Sequence, residues 1–238
     1  MLEARNLVKS YRGRRVVDGI SITAEQGVII GLLGPNGAGK TTSFYSIAGF
    51  IRPEQGDIIL ENRDITRLPV HKRARNGISY LAQEPTVFKK LTVEENVRII
   101  LEPSGLSRQE IRERIDRLME ELKLKHLSGN KGGGLSGGER RRVEIMRALA
   151  TKPRYILLDE PFAGIDPLSV ADLQEIIVEL KGQGLGVIIS DHNVRETLTV
   201  CDYAYVVDNG QILSKGTPEE ITRSEKVKTM YLGQNFKM

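Results

Sequence analysis

The stretch GLLGPNGAGKTTSF, Gly31 to Phe44, decides the fold. It sets Gly34, four residues, then Gly39, Lys40 and Thr41 after the apolar run Val28 to Leu33 and ahead of a plausible helix. Strand, glycine loop and helix in that order are the context a phosphate-binding loop needs. Glycines let the backbone N–H groups curl around phosphate oxygens, and the start of a helix adds partial positive charge. Residues Gly34, Pro35, Asn36, Gly37, Ala38, Gly39, Lys40, Thr41 and Thr42 are therefore the expected nucleotide-binding loop. Lys40 is placed to reach the terminal phosphates, and Thr41 offers a hydroxyl to Mg2+. A plain glycine turn with an exposed lysine is the competing reading, and the flanking strand and helix argue against it.

YILLDEPFAGID, Tyr155 to Asp166, supplies acids. An apolar strand ends in Asp159 and Glu160, at the carboxyl edge where ligands bind in open α/β sheets. Asp159 can hold Mg2+ through a water, and Glu160 is the candidate base for an attacking water. Two acids capping the next helix is the alternative; the phosphate loop weighs against it. NKGGGLSGGERRRVEI, Asn130 to Ile145, packs five glycines into residues 132–138 and then opens a basic helical stretch. Ser136, Gly137 and Gly138 at a helix start make a second anion site by the same physics. One nucleotide is not easily wrapped by two such loops from one chain, so the second loop points to a second copy.

The remaining pattern reads as α/β. Leu2 to Val8 and Val16 to Thr23 read as strands about a turn at Arg12 to Arg15, and Ile58 to Leu60, Ile78 to Leu81, Tyr155 to Leu158 and Val187 to Ile189 as short buried strands. Tyr203 to Val207 and Ile212 to Leu213 flank DNG, a hairpin turn signal. Thr92 with Glu95, Ser107 with Glu110, and Thr217 with Pro218 and Glu220 mark three helix starts, the first two opening Leu91 to Leu101 and Ile111 to Leu124. Leu168 to Leu180 carries Val170, Leu173, Ile176, Ile177 and Leu180 on one face. Residues from about 92 to 150 show little strand pattern and read as a helical subdomain inserted in an α/β core.

LSGGE before RRR, together with GPNGAGKTT and LLDEP, resembles the ATP-binding subunits of ABC transporters, and the likeness runs along essentially all 238 residues. The resemblance implies a P-loop NTPase core of ABC ATPase type with an antiparallel β subdomain and an inserted helical subdomain. The chain is then a single domain, 1–238, with residues about 1–91 and 151–238 as core and β subdomain and about 92–150 as the helical part. It also implies ATP and Mg2+, and a head-to-tail homodimer in which Leu135, Ser136, Gly137, Gly138 and Glu139 act on the partner chain's ATP. Tyr11 matches the residue that stacks on adenine. Gln83 matches the glutamine that senses Mg2+ and the attacking water, and His192 the histidine at the γ-phosphate. Asp166 matches the aspartate that crosses to the other subunit, although before Pro167 it also suits a helix N-cap. Two departures stand out: Glu139 replaces the usual glutamine, and AGID replaces the usual serine-alanine-leucine-aspartate. Ser136 and Glu139 have capping-box spacing, so Glu139 is expected to turn back to the Ser136 N–H and away from phosphate.

RLPVHKRARNGISYLAQEPTVFKKLTVEEN, DEPFAGIDP, DHNVRETL and YLGQNF resemble, within that family, the ATPases of lipopolysaccharide export, with Ala82 where proline is expected. That implies separate integral membrane subunits as partners, no nucleic acid, and a place at the cytoplasmic face of the inner membrane. The alternatives are the ATPase of a branched-chain amino-acid importer and a soluble ABC ATPase acting on ribosomes or DNA. The latter usually carries two ATPase halves or a long coiled-coil insertion. Composition agrees with a cytoplasmic globular protein: 39% of residues are apolar and 28% charged, and Cys201 is the single cysteine. No apolar run approaches the roughly 18 residues that span a bilayer. The chain is basic, with a net charge of +4, which suits nucleic acid or an anionic membrane face, or is only a solvated surface because the basic residues are spread along the chain; composition leaves these open. Phe88 and Leu91, near Gln83, line a docking groove for the membrane partner or are core residues; the sequence leaves both open.

Overall fold

The computed structural model describes residues 1–232. In chain order the elements are β1 (Leu2–Tyr11), β2 (Arg14–Ala24), β3 (Ile29–Leu33), α1 (Lys40–Ala48), β4 (Gln55–Leu60), β5 (Arg63–Asp64), α2 (Val70–Arg75) and β6 (Ile78–Leu81). Three helices follow, α3 (Val93–Leu101), α4 (Arg108–Glu121) and α5 (Gly137–Ala150). Then come β7 (Tyr155–Asp159), α6 (Pro167–Gly182), β8 (Gly186–Asp191), α7 (Val194–Val200), β9 (Tyr203–Asp208), β10 (Gln211–Gly216) and α8 (Pro218–Arg223).

Six strands form one sheet in the order β10-β9-β3-β8-β7-β6, parallel except for the β9–β10 hairpin. Strands β2-β1-β4-β5 form a separate antiparallel sheet. The larger sheet is buried on both faces, and alternate residues divide between two apolar clusters. Leu33, Leu81, Leu158 and Ile189 face the cluster built with α3 to α7. Leu32, Leu157, Ile188 and Val207 face the one built with α1 and the antiparallel sheet. The helices of residues 93–150 share the first cluster, so they rest on the sheet rather than forming a core of their own.

Capping boxes open α3, α4, α5 and α8 at Thr92, Ser107, Ser136 and Thr217, each with its glutamate three residues on. Asn209 and Gly210 take positive φ in the β9–β10 turn. The structure also extends the sequence reading. β1 and β2 run beyond their apolar stretches, because Lys9–Val17 and Ser10–Arg15 pair through the backbone, which leaves no side-chain pattern. β5, α2 and α7 have no signal of their own: α2 is the polar run VHKRAR, and α7 is a seven-residue helix without a capping side chain. α4 stops at Glu121, three residues before the predicted end at Leu124, and Lys123 turns to φ 55° just beyond it.

Arg73 on α2 fixes the end of α1. Its side chain is 1% exposed. Nη1 donates to the Ser46 and Ile47 carbonyls at 2.6 and 2.7 Å, Nη2 to Thr66 O at 2.8 Å, and Nε to Leu68 O at 2.8 Å. Two of these carbonyls lie in the last turn of α1, where helix bonding leaves acceptors free and a cation is favoured. Burial lowers the guanidinium pKa to about 10, which leaves it charged at neutral pH. Arg73→Met strands these buried carbonyls and is expected to cost about 2–4 kcal/mol. A urea-unfolding midpoint unchanged by the substitution contradicts this role.

Candidate active site

The phosphate-type loop leaves β3 at the carboxyl edge of the sheet. Gly34 has φ +151°, and a Cβ there meets Val207 O at 2.2 Å, so no other residue fits. The loop is pinned to β9 at this point, and the Gly210 N–H binds Ala38 O at 2.9 Å. Lys40, 5% exposed, opens α1 and donates Nζ to Gly34 O at 2.7 Å and Pro35 O at 3.0 Å. Burial lowers its pKa, and the carboxylates of Glu160, Asp191 and Asp159 act the other way. Thr41 is exposed and Thr42 half-buried at the same helix start.

The acids come from neighbouring strands. Asp159 ends β7, is 1% exposed, and pairs in register with Ser190 of β8. Its Oδ2 accepts the Tyr80 hydroxyl at 3.0 Å, and among the described residues none donates to Oδ1. Burial raises the Asp159 pKa, against hydrogen bonds and Lys40 that lower it. Glu160 has φ 45°, a left-handed conformation that costs about 1–3 kcal/mol for such a residue. Its N–H donates to Ser190 O at 2.7 Å. Its Oε2 accepts Gln83 Nε2 at 2.9 Å and lies 3.3 Å from His192 Nδ1. The ends of β6, β7 and β8 thus bring Gln83, Glu160 and His192 together. The Tyr231 hydroxyl holds His192 O at 3.2 Å. Of YLGQNF, residues 233–236 lie outside the described residues.

The second glycine stretch divides its work. Gly132 and Gly133 donate to Leu91 O and Lys89 O at 2.9 and 3.0 Å and brace the loop after Gln83. Leu135 is buried, and Ser136 is exposed at the start of α5. Glu139 Oε2 accepts the Ser136 N–H at 2.8 Å. A Cβ on Gly138 meets Ser169 Oγ at 2.3 Å, so α5 seats directly on the start of α6. There Asp166 accepts Ser169 N at 3.0 Å and Ser169 Oγ at 2.7 Å as the N-cap. Among the described residues no hydrogen bond or ion pair joins residues 135–139 to 34–42. Tyr11, 46% exposed, ends β1 with Lys9 Nζ 5.6 Å from its ring centroid.

Four groups escaped the sequence reading. Arg141, 6% exposed, donates Nη1 to Ala82 O at 2.7 Å and Nη2 to Asp159 O at 2.9 Å, and pairs with Glu144 at 3.2 Å. Glu144 receives the Thr86 N–H, and Arg147 donates to Thr86 O and lies 4.7 Å from the Phe88 ring centroid. Positions 141, 144 and 147 follow helical spacing, a signal hidden by the surrounding run of arginines. Tyr80 gave no signal. Phe88 is 44% exposed and so is not a core residue, although buried Asn96 fixes its backbone at 2.9 and 3.1 Å. Leu91 is half-buried.

The family model described as ABC transporter matches residues 17–163, a span that holds the glycine loop, Gln83, the Ser136 stretch and both acids. The chain belongs to the ABC transporter ATP-binding family. It is 54% identical over its whole length to the lipopolysaccharide export system ATP-binding protein LptB of Haemophilus influenzae, covering 99% of that protein. LptB of Escherichia coli K12 is 53% identical, with 100% and 99% of the two chains covered. A crystallised ATP-binding cassette of an ABC transporter in its ADP conformation superposes with a TM-score of 0.88 at 34% identity, over 98% of this chain and 99% of that one. Like other ATP-binding subunits of the family, the chain is an ATPase. Among the described residues no three His, Cys, Asp or Glu side chains form a metal cage. Mg2+ bound with substrate phosphates takes only one or two protein ligands and keeps waters. The free Oδ1 of Asp159 and the Thr41 hydroxyl suit that role.

Hydrogen bonds from the Ser136 N–H and then its hydroxyl hold Glu139 below the ordinary glutamate value of 4.5. A depressed carboxylate pKa means that this support is complete above 4.5 and is lost as pH falls through the lowered value. The Ser136 amide proton resonance is expected to titrate with a midpoint below 4.5, and Glu139→Gln to abolish the step. A midpoint at or above 4.5 contradicts the capping geometry.

Proposed function

We propose that the chain powers the extraction and export of lipopolysaccharide from the inner membrane. It does so as a head-to-tail homodimer bound at the cytoplasmic face to separate membrane subunits. The observation that carries the reading is the end-to-end identity of 53–54% with two LptB proteins. No helix among the described residues is long and apolar enough to cross a membrane, in keeping with membrane subunits on other chains.

In this reading ATP lies along residues 34–42, with Tyr11 against adenine and Lys40 on the terminal phosphates. Ser136, Gly137 and Gly138 of the second copy close the site, flanked by Leu135 and Glu139, with Asp166 at the dimer contact. Thr41, Asp159 and Gln83 would hold Mg2+, Asp159 through a water; when bound, the ion neutralises charge on the phosphate oxygens. Glu160 takes the proton of a water attacking the γ-phosphorus in line, and the bond to the β–γ bridging oxygen breaks to leave ADP and phosphate. Gln83 and His192 hold one oxygen of Glu160 and so aim the other. Loop 82–88 moves with α5 through Arg141, Glu144 and Arg147, and presents Phe88 and Leu91 to the membrane partner.

Glu160→Gln is expected to retain ATP affinity and lose about 10²- to 10⁴-fold in turnover, with an ATP-bound dimer accumulating. Near-normal hydrolysis by the pure variant contradicts the base assignment. The crossed site is tested in heterodimers. Lys40→Ala in one chain and Ser136→Arg in the other put both lesions in one site and leave one ATP protected. Both changes in a single chain damage both sites. If the single-chain arrangement protects more ATP, each Ser136 serves its own chain. The transport assignment is tested in proteoliposomes with the membrane subunits that co-purify from solubilised membranes. ATP-dependent release of labelled lipopolysaccharide is expected; amino-acid uptake in its place overturns the assignment.

A further inference from the structure

Tyr80 does not belong to the phosphate loop, the Gln83 loop or the acid motif, yet its hydroxyl reaches a buried acid of the site. Its ring stands on β6, edge-on to Phe50 at 5.0 Å and Tyr45 at 6.0 Å between centroids. Tyr45 and Phe50 themselves are 5.5 Å apart. The cluster sits at the C-terminal end of α1, the end fixed by Arg73. The ring is therefore held from two sides while the hydroxyl donates to Asp159 Oδ2 at 3.0 Å. Asp159 is 1% exposed, so bulk water does not solvate that oxygen and the Tyr80 hydroxyl is its donor.

We infer that Tyr80 is a positioning residue for the metal-binding carboxylate: by occupying Oδ2 it fixes the carboxylate plane and turns Oδ1 toward the cation side of the site. This rests on the proposed role of Asp159. The chemistry favours one sign. A carboxylate without its buried donor is less stable as the anion and free to rotate about its Cβ–Cγ bond, and both changes weaken a contact that needs a charged, oriented oxygen. Of the neighbours, Asp191 Oδ1 is taken by the Asn193 N–H at 2.8 Å, and the Ser190 hydroxyl, across the register from Asp159, lowers the Asp159 pKa less than Tyr80 does.

The test measures affinity for a fluorescent, non-hydrolysable ATP analogue twice, with excess Mg2+ and with EDTA. The ratio reports the metal contact without turnover. Tyr80→Phe removes only the hydroxyl. It is expected to leave affinity in EDTA unchanged and to cut the Mg2+-dependent gain about three- to tenfold, the scale of one charge-assisted hydrogen bond. Asp159→Asn is the reference. If Tyr80 acts through Asp159, adding Tyr80→Phe to Asp159→Asn lowers the gain no further. Phe50→Leu keeps the hydroxyl but loosens the ring it leans on, and is expected to give a smaller loss, which serves if Tyr80→Phe proves too unstable to purify. A full Mg2+ gain in Tyr80→Phe overturns the inference, as does an equal further loss in the double variant, or a full gain in Phe50→Leu. If Asp159→Asn itself leaves the gain intact, the reading of Asp159 as the metal carboxylate fails instead.

Discussion

The buried guanidinium of Arg141 is the contact on which the arrangement of the site depends. It joins three segments distant in sequence: the α5 helix that begins at Ser136, the loop that carries Gln83 through Ala82 O, and the end of β7 through Asp159 O. A charge at 6% exposure is tolerable only with partners, and Glu144 at 3.2 Å supplies the opposite charge. Glu144 in turn holds the Thr86 N–H, so the same ion pair ties down the far end of the Gln83 loop. α5 therefore cannot shift relative to β7 without straining polar contacts that have no water to replace them. Its first turn carries the exposed Ser136 and the proposed phosphate contact, and its middle carries the bonds that place Gln83 and Asp159. The helix is a mechanical link between the two, by ordinary hydrogen-bond geometry.

The same argument explains why so much backbone strain gathers at one edge. Glu160 sits at φ 45° with its N–H tied to Ser190 O at 2.7 Å. Gly34 is pressed against Val207 O so closely that a Cβ cannot be added. Both lie where parallel strands end and connections must turn sharply toward the next helix. The sheet is buried on both faces, so these turns cannot relax outward. The strain is sustained by the core, and its effect is to point Lys40, Asp159, Glu160 and Gln83 into a common volume.

Most of the sheet and the phosphate loop were legible because their signals are local. The strand IIGLL of β3 followed by glycine, lysine and threonine needs no tertiary information. Four capping boxes are likewise written in residues three apart. What escaped lies in contacts between distant segments. Arg141 looks like one of three surface arginines until α5 is laid against β7. Tyr80 looks like a strand tyrosine until Asp159 is beside it. The sequence reading places a second anion site at Ser136, Gly137 and Gly138 and gives Gly132 to Gly134 no role, yet Gly132 and Gly133 brace residues 89–91 and Gly138 seats α5 on Ser169, while Ser136 and Gly137 stay exposed at the helix start. α2 and α7 were invisible because neither carries a helical apolar pattern; α2 is held by Arg73, a buried charge that a hydropathy argument assigns to solvent.

Dividing a site between two copies has an energetic consequence. A ligand shifts an equilibrium between open and closed forms only by its differential affinity for them. In the proposed dimer, contacts to residues 34–42 belong to one chain and would be the same in both forms, so they would hold ATP without favouring closure. In the proposed dimer the contacts from Ser136 to Gly138 exist only when closed, and they fall on the terminal phosphate. ATP then stabilises the closed form, and ADP, lacking that phosphate, does not. Since Arg141 ties α5 to both loop 82–88 and the end of β7, closure of the proposed dimer would carry the face that bears Phe88 along with the hydrolytic edge as one body, and hydrolysis would release it by removing the group the second loop binds. The capping bond of Glu139 constrains this scheme: a carboxylate turned back on Ser136 at 2.8 Å takes up the Ser136 N–H and offsets part of the positive charge at the helix start, so in the proposed dimer the Ser136 hydroxyl and the N–H groups of Gly137 and Gly138 are left to meet the phosphate.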